Sequence, residues 1–275
     1  MSQKKILYIT QEIYPYLDES PISNTSRFLP QAIQEKGKEI RAFMPKYGTI
    51  NERRNQLHEV IRLSGMNLII DDADHSLIIK VASIQSARMQ VYFIDNEDYF
   101  QNRELLTDKD GAEYVDNDER SIFFIRGVME TIKKLRWVPD VIHCHGWFSA
   151  LAPLYIKKGY ADDPCFRNSK VVCSLYDETF QRPFQQDFAN KLRYDGIGDK
   201  EVAAVEALGT IDYTKLMKLA IDYSDGIIIG SETVDPELIR YVSEKGIEPL
   251  PFQADFNQYA EEINRFYDQI DASFS

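Results

Sequence analysis

Three segments of this chain are apolar without alternation over the length of a short strand: Lys5-Ile6-Leu7-Tyr8-Ile9-Thr10, Asp140-Val141-Ile142-His143-Cys144-His145 and Asp225-Gly226-Ile227-Ile228-Ile229-Gly230-Ser231. A strand with one face in water alternates polar and apolar residues. One that is apolar throughout has both faces buried, the habit of parallel sheets covered by helices on each side. Parallel neighbours need crossover connections, so the intervening sequence must supply helices. Residues 23–35 do so, with Phe28, Leu29, Ala32 and Ile33 at helical spacing and Gly37 as a stop. Glu39-Ile40-Arg41-Ala42-Phe43-Met44 then closes a βαβ unit.

Residues 57–95 break this rhythm. Short β-rich runs at 58–64, 67–70, 77–84 and 90–94, separated by Gly65 and Asp71-Asp72-Ala73-Asp74, predict a β-meander inserted at the edge of the core. His58 and His75 fall in it and are expected to be solvated. The acidic, polar stretch 95–117 reads as a long surface loop. Helices are then expected over 119–135, 150–158 and 213–223, a further strand over 169–175, and irregular chain over 176–208. Asp235-Pro236 offers an N-cap followed by proline at the first helical position. Phe256, Tyr259, Ala260, Ile263, Phe266, Tyr267 and Ile270 share one face of a final helix. The expected fold is a single Rossmann-like, doubly wound α/β domain over residues 1–252, with the insertion at 57–95 and an amphipathic C-terminal helix over 253–275.

Charge narrows the function. With 32 basic and 44 acidic side chains the net charge is −12, which argues against nucleic acid and anionic membranes as partners. No apolar run reaches the roughly 18 residues of a membrane span, and the few apolar residues after Met1-Ser2-Gln3-Lys4-Lys5 are too short for a signal peptide. Three cysteines, Cys144, Cys165 and Cys173, suit a reducing compartment, so a cytoplasmic location is expected.

In open α/β sheets ligands bind beyond the carboxyl ends of the strands, which directs attention to residues 11–24, 145–150, 176–182 and 231–235. The first of these, opening Gln11-Glu12-Ile13-Tyr14-Pro15-Tyr16-Leu17-Asp18-Glu19-Ser20-Pro21, has acids where a nucleotide-binding loop has glycines. A Rossmann oxidoreductase and a P-loop enzyme are therefore both disfavoured. His143 and His145 share a strand face, and either a metal pair or structural histidines would account for them. No second ligand cluster accompanies them, so neither a metal nor a cofactor is expected. Asp116 also suits a plain helix N-cap. Trp147, Tyr176, Phe180 and Phe184 suit either sugar stacking or a core.

Several segments together resemble the N-terminal half of bacterial glycogen and starch synthases, glycosyltransferase family 5. Ile6-Leu7-Tyr8-Ile9-Thr10-Gln11-Glu12-Ile13-Tyr14-Pro15 is similar to the family's opening strand and Ser-Glu-x-x-Pro turn. Tyr114-Val115-Asp116-Asn117 with Arg120 and Phe123 resembles its Tyr-x-Asp-Asn-x-x-Arg-Phe helix start. Pro139 to Trp147 resembles its His-x-His-Asp-Trp segment, and Asp222 to Ser231 its Ala-Asp-x-Val-Thr-Thr-Val-Ser strand. The collinear match runs from about residue 4 to 245. It implies one half of a two-domain GT-B glucosyltransferase that moves glucose from ADP-glucose to an α-1,4-glucan without a metal. It also implies that the acceptor side uses Glu12, Asp116, Asn117, Arg120, His145, Trp147 and Tyr176, with His145 against the transferred sugar.

The departures from the family pattern lie on the donor side. The family's phosphate-binding Lys-Thr-Gly-Gly-Leu loop appears here as Asp18-Glu19-Ser20-Pro21-Ile22, which exchanges a cation for an anion and loses both glycines. Gly146 replaces the Asp after the second His, and Tyr176 replaces the His of Thr-Val-His-Asn. The resemblance also places the second, donor-binding domain beyond this sequence. It further suggests that the final helix covers apolar surface such a domain would have buried. Three functions follow: a non-catalytic glucan-binding or regulatory protein; a glycogen synthase half-enzyme completed by a donor-domain partner or by self-association; or a protein-interaction module with no carbohydrate role.

Overall fold

The computed structural model describes residues 3–272. Six parallel strands form its centre: β1 (Lys5–Thr10), β2 (Glu39–Pro45), β6 (Met89–Asp95), β7 (Val141–His145), β8 (Lys170–Leu175) and β9 (Gly226–Ile229). They lie in the order β6-β2-β1-β7-β8-β9. Counted along the chain this is 3-2-1-4-5-6, the doubly wound dinucleotide-fold order. Every residue of β7 and all but the first of β1 and β8 are buried, as non-alternating runs require.

Local signals set the helix bounds. Helix α1 (Pro21–Glu35) begins at Ser20, whose hydroxyl accepts from the Ser23 backbone N–H while the Ser23 hydroxyl accepts from that of Ser20. Gly37, at φ +90°, ends it. Helix α2 (Asn117–Leu135) crosses from β6 to β7 and packs on β2 and β6. The short α3 (Ala152–Leu154) runs into a wide turn at Tyr155–Gly159. Helix α6 (Tyr213–Asp222) precedes β9, and α7 (Pro236–Glu244) follows it, with Asp235 capping the Glu237 N–H as its sequence predicts.

The meander comprises β3 (His58–Glu59), β4 (Met66–Ile70) and β5 (Ala73–Ile84), with β5 pairing antiparallel to β3, to β4 and to β6. The last of the β-rich runs is thus shared: β6 ends the meander and is also a strand of the parallel sheet, paired with β2. Three expectations need correction. Residues 95–117 are not wholly a surface loop, because Glu97–Gln101 forms a helical turn that buries Tyr99 and Phe100. His75 is not solvated; its ring lies against Tyr99, with Nε2 2.9 Å from the Tyr99 hydroxyl. The stretch 176–208 is also more regular than expected, since it holds α4 (Phe188–Lys191) and α5 (Asp199–Glu206).

Helix α8 (Phe256–Ala272) packs beside α1 on the sheet face that carries Tyr8 and His143. Tyr259, Ala260, Ile263 and Tyr267 are buried there, whereas Phe256 stays at the exposed rim. The Tyr267 hydroxyl is 2.6 Å from His143 Nδ1 and 3.3 Å from the Tyr8 hydroxyl. Lys4 pairs with Asp268 and Asp271, and Lys36 pairs with Glu261. The helix therefore covers the central sheet itself.

Candidate functional site

Strand order reverses between β1 and β7, so the crevice that the fold reserves for ligands opens beyond Thr10 and His145. There the Gln11 N–H donates to the His145 carbonyl at 3.3 Å. Gly146 turns away at φ +81°, and a Cβ at that position would overlap the Gln11 side chain. Glycine is therefore what lets Gln11 lie across the end of β7. The Gln11 amide is used twice, its oxygen accepting from the Phe148 N–H at 3.2 Å and its nitrogen donating to Glu178 Oε2 at 3.2 Å.

Beneath these groups lies a cavity of about 200 Å3 lined by Gln11, Glu12, Ser20, Trp147, Tyr176 and Glu178, with Leu105 and Leu106 on its far side. A second hollow of about 360 Å3 shares Glu12, Ser20 and Leu105 with it and adds Asp18, Glu19 and Glu104. Six carboxyl groups line the two together, and no lysine or arginine does. The Ser20 hydroxyl donates to Glu12 Oε1 at 2.6 Å, tying the loop after β1 to the start of α1.

Burial sets the protonation states. Glu12 is pushed up by burial, partly offset by the Ser20 hydroxyl. Burial, with Glu12 as a like-charged neighbour, raises Glu178 to about 8, so it is mostly protonated at pH 7. His145 is fully buried and lowered to about 3, and burial also drives His143 well down, so both imidazoles are neutral. His143 is satisfied on both nitrogens, by Tyr267 and Ser174. His145 is satisfied on one: Nδ1 is 2.7 Å from the Tyr176 hydroxyl, while Nε2 has no partner. Among the described residues no group of three His, Cys, Asp or Glu side chains stands together as a metal site would require.

The structure divides the residues expected at the site. Glu12, Ser20, Pro21, Trp147 and Tyr176 line the cavity, with His145 directly behind Tyr176; Asp18 and Glu19 form the outer hollow. Asp116, Asn117 and Arg120 do not line it. Asp116 stands at the N-cap of α2 without capping through its side chain, and its carboxylate instead holds Arg103 at 2.6 and 2.8 Å. Asn117 donates to the Leu106 carbonyl. Arg120, fully buried, donates to the carbonyls of Tyr99, Glu104 and Leu105 and to Asn117 Oδ1. These residues shape the loop that supplies Leu105 and Leu106 to the cavity. Glu113 clasps the opposite loop, accepting from the backbone N–H groups of Gln181 and Arg182. Lys191 anchors that same segment to α2 through Glu119 at 2.7 Å and Asp118 at 3.4 Å.

A model of the starch synthase catalytic domain matches residues 5–250. This chain belongs to the starch synthase catalytic domain family. It is 41% identical over 174 residues to the glycogen synthase of Chlorobium limicola, an overlap that takes in 63% of this chain and 36% of that one. With the glycogen synthase of Chlorobaculum tepidum it shares 37% over 202 residues, covering 70% and 41%. The chain thus spans well under half the length of these relatives. In three dimensions 98% of it matches half of the catalytic domain of starch synthase IV from Arabidopsis thaliana bound to ADP and acarbose, at TM-score 0.67 and 17% identity. That likeness shows the fold: one Rossmann-like unit of a GT-B architecture.

Gln11 and Glu178 were not among the residues expected from the family pattern. The available signal was paired: a large amide stands at the end of β1 where a glycine stands at the end of β7.

Proposed function

We propose that this chain is a non-catalytic member of the starch synthase catalytic domain family that binds the end of an α-1,4-glucan in the cleft beyond β1 and β7. It does not by itself transfer glucose from ADP-glucose. The observation that carries this reading is the lining of the cleft. Glu12, Asp18, Glu19, Glu104, Asp177 and Glu178 line it with no basic side chain. Stabilising a departing diphosphate needs positive charge placed in advance. A carboxylate about 4 Å from a phosphate oxygen instead costs on the order of 1–4 kcal/mol at effective dielectrics of 80 to 20. Neutral sugar hydroxyls meet no such opposition, and carboxyls and buried aromatics are common partners for them.

The test is electrophoresis in native gels with and without embedded glycogen, beside an equally acidic control, together with assays of ADP binding and ADP-glucose turnover. Trp147 is buried against Phe180 and Phe184, so Trp147→Phe is a safer probe than alanine. The wild-type chain is expected to be retarded by glycogen, with weaker retardation for Trp147→Phe and His145→Ala, and to leave ADP-glucose intact. No retardation at any glycogen concentration overturns the glucan reading. Glucosyl transfer by the chain alone overturns the non-catalytic one, and transfer only after a donor-domain protein is added would establish the half-enzyme alternative.

A further inference from the structure

Among the described residues, three buried side-chain polar atoms without a hydrogen-bond partner fall on consecutive parts of one site: His145 Nε2, Trp147 Nε1 and Glu178 Oε1. His145 and Trp147 are 0% and 1% exposed. Trp147 and Glu178 both line the 200 Å3 cavity. A folded chain rarely strands buried polar atoms, and a cluster of them beside an open cavity implies a ligand that supplies the missing partners.

The pattern of these atoms specifies the ligand. Glu178 is held by its other oxygen, which accepts from Gln11 Nε2. The backbone N–H of Trp147 also approaches the carboxyl, but Oε1 has no hydrogen-bond partner. The indole nitrogen can only donate, whereas a protonated carboxyl can both donate and accept. Anions are opposed by Glu12, and an apolar ligand would leave every orphan unpaired. Neighbouring hydroxyls of one sugar ring, each at once donor and acceptor, suit the two of these atoms whose residues line the cavity, Trp147 Nε1 and Glu178 Oε1.

We infer that Glu178 is a specificity-determining carboxyl of this cleft, whose free oxygen hydrogen-bonds a hydroxyl of the bound sugar while Gln11 fixes its orientation. This rests on the glucan-binding reading above and adds a residue to it. The free oxygen of Glu178 donates to the sugar hydroxyl when the group is neutral and accepts from it when ionised, so affinity depends on pH as the group titrates. The ionisable groups that face it are Glu12 from the loop after β1, Cys173 and Tyr176 from β8 and the turn beyond it, and Tyr213 from α6. A glutamine at 178 removes its titration while leaving theirs.

The experiment is calorimetric titration of the full chain with maltoheptaose, comparing wild type, Glu178→Gln and Glu178→Leu, with folding checked by circular dichroism. At pH 7 Glu178→Gln is expected to bind within about threefold of wild type and Glu178→Leu about tenfold or more weakly, the loss expected for a hydrogen bond to a buried group. Between pH 7 and 9 wild-type affinity is expected to change while that of Glu178→Gln stays level. If wild type binds and Glu178→Leu binds equally well, the assignment of Glu178 fails and the glucan reading stands. If wild type does not bind maltoheptaose, both fail. Should Glu178→Leu not fold, the pH comparison decides: parallel profiles for wild type and Glu178→Gln overturn the role of the carboxyl.

Discussion

Tyr267→Phe tests the docking of α8 most sharply, because it removes one oxygen and leaves the ring in place. In the structure that oxygen joins two buried groups directly and a third through His143. It lies 2.6 Å from His143 Nδ1 and 3.3 Å from the Tyr8 hydroxyl, and His143 Nε2 is 2.7 Å from the Ser174 hydroxyl. If Tyr267 donates to Tyr8, then His143 carries its proton on Nδ1 and accepts from Ser174, so the chain of donors has one direction. Removing the hydroxyl deletes two hydrogen bonds and strands a buried imidazole N–H and a buried phenol. A net bond is worth about 0.5–1.5 kcal/mol and an orphaned buried group costs about 1–3, so the expected destabilisation is about 2–4 kcal/mol. Urea unfolding followed by tryptophan fluorescence at pH 7 measures it, with Tyr259→Phe as a comparison. The Tyr259 hydroxyl makes one bond, to the Ile229 carbonyl, and its loss should cost about 1 kcal/mol. A change below about 0.5 kcal/mol in Tyr267→Phe, with an unchanged urea slope, would refute the reasoning that α8 is tied to the sheet through this hydroxyl.

Other positions give equally definite expectations. Arg120→Lys replaces a guanidinium that holds three carbonyls and one amide oxygen, and should cost about 2–4 kcal/mol while making residues 102–113 more sensitive to limited proteolysis. Gly146→Ala puts a side chain at φ +81° against Gln11 and should destabilise by about 1–3 kcal/mol; adding Gln11→Ala should recover part of that loss in a double-mutant cycle, because one of the two costs is the overlap. Glu178 ionises near 4.5 in the unfolded chain and about 8 in the folded one, so the folded state keeps a proton the unfolded state has lost. Its contribution to stability therefore falls as pH rises from about 4.5 to about 8, by about 2–4 kcal/mol in all. Chemical denaturation across that window should show a flatter profile for Glu178→Gln.

The parallel sheet was legible because burial on both faces leaves a mark: β1, β7 and β9 do not alternate polar and apolar residues as a half-solvated strand does. The caps at Gly37 and Asp235 were legible for the same local reason. The turn at Glu97–Gln101 was not, since acidic residues at 97 and 98 mask the two aromatics that it buries. His75 was misread because its partner, Tyr99, lies 24 residues away on a different element. The site divides in the same way. His145, Trp147 and Tyr176 follow from their place at strand ends, but the part played by Gln11 and Glu178 depends on which strands become neighbours, and only the order of the sheet decides that. Arg120 shows the converse, since a charged residue in a family motif proves to hold carbonyls together away from the cavity.

The contact between Tyr8 and Tyr267 spans 259 positions of sequence. During synthesis β1 leaves the ribosome long before α8, and the part of its sheet face that lies beside α1 has no cover until α8 has followed it. For most of translation Tyr8, and later His143, must wait exposed or borrow shelter from other protein. Folding dominated by such distant closures is slow and prone to association on the way. A nascent chain halted before residue 256 should therefore bind general chaperones strongly, and one extended far enough to free α8 should let them go.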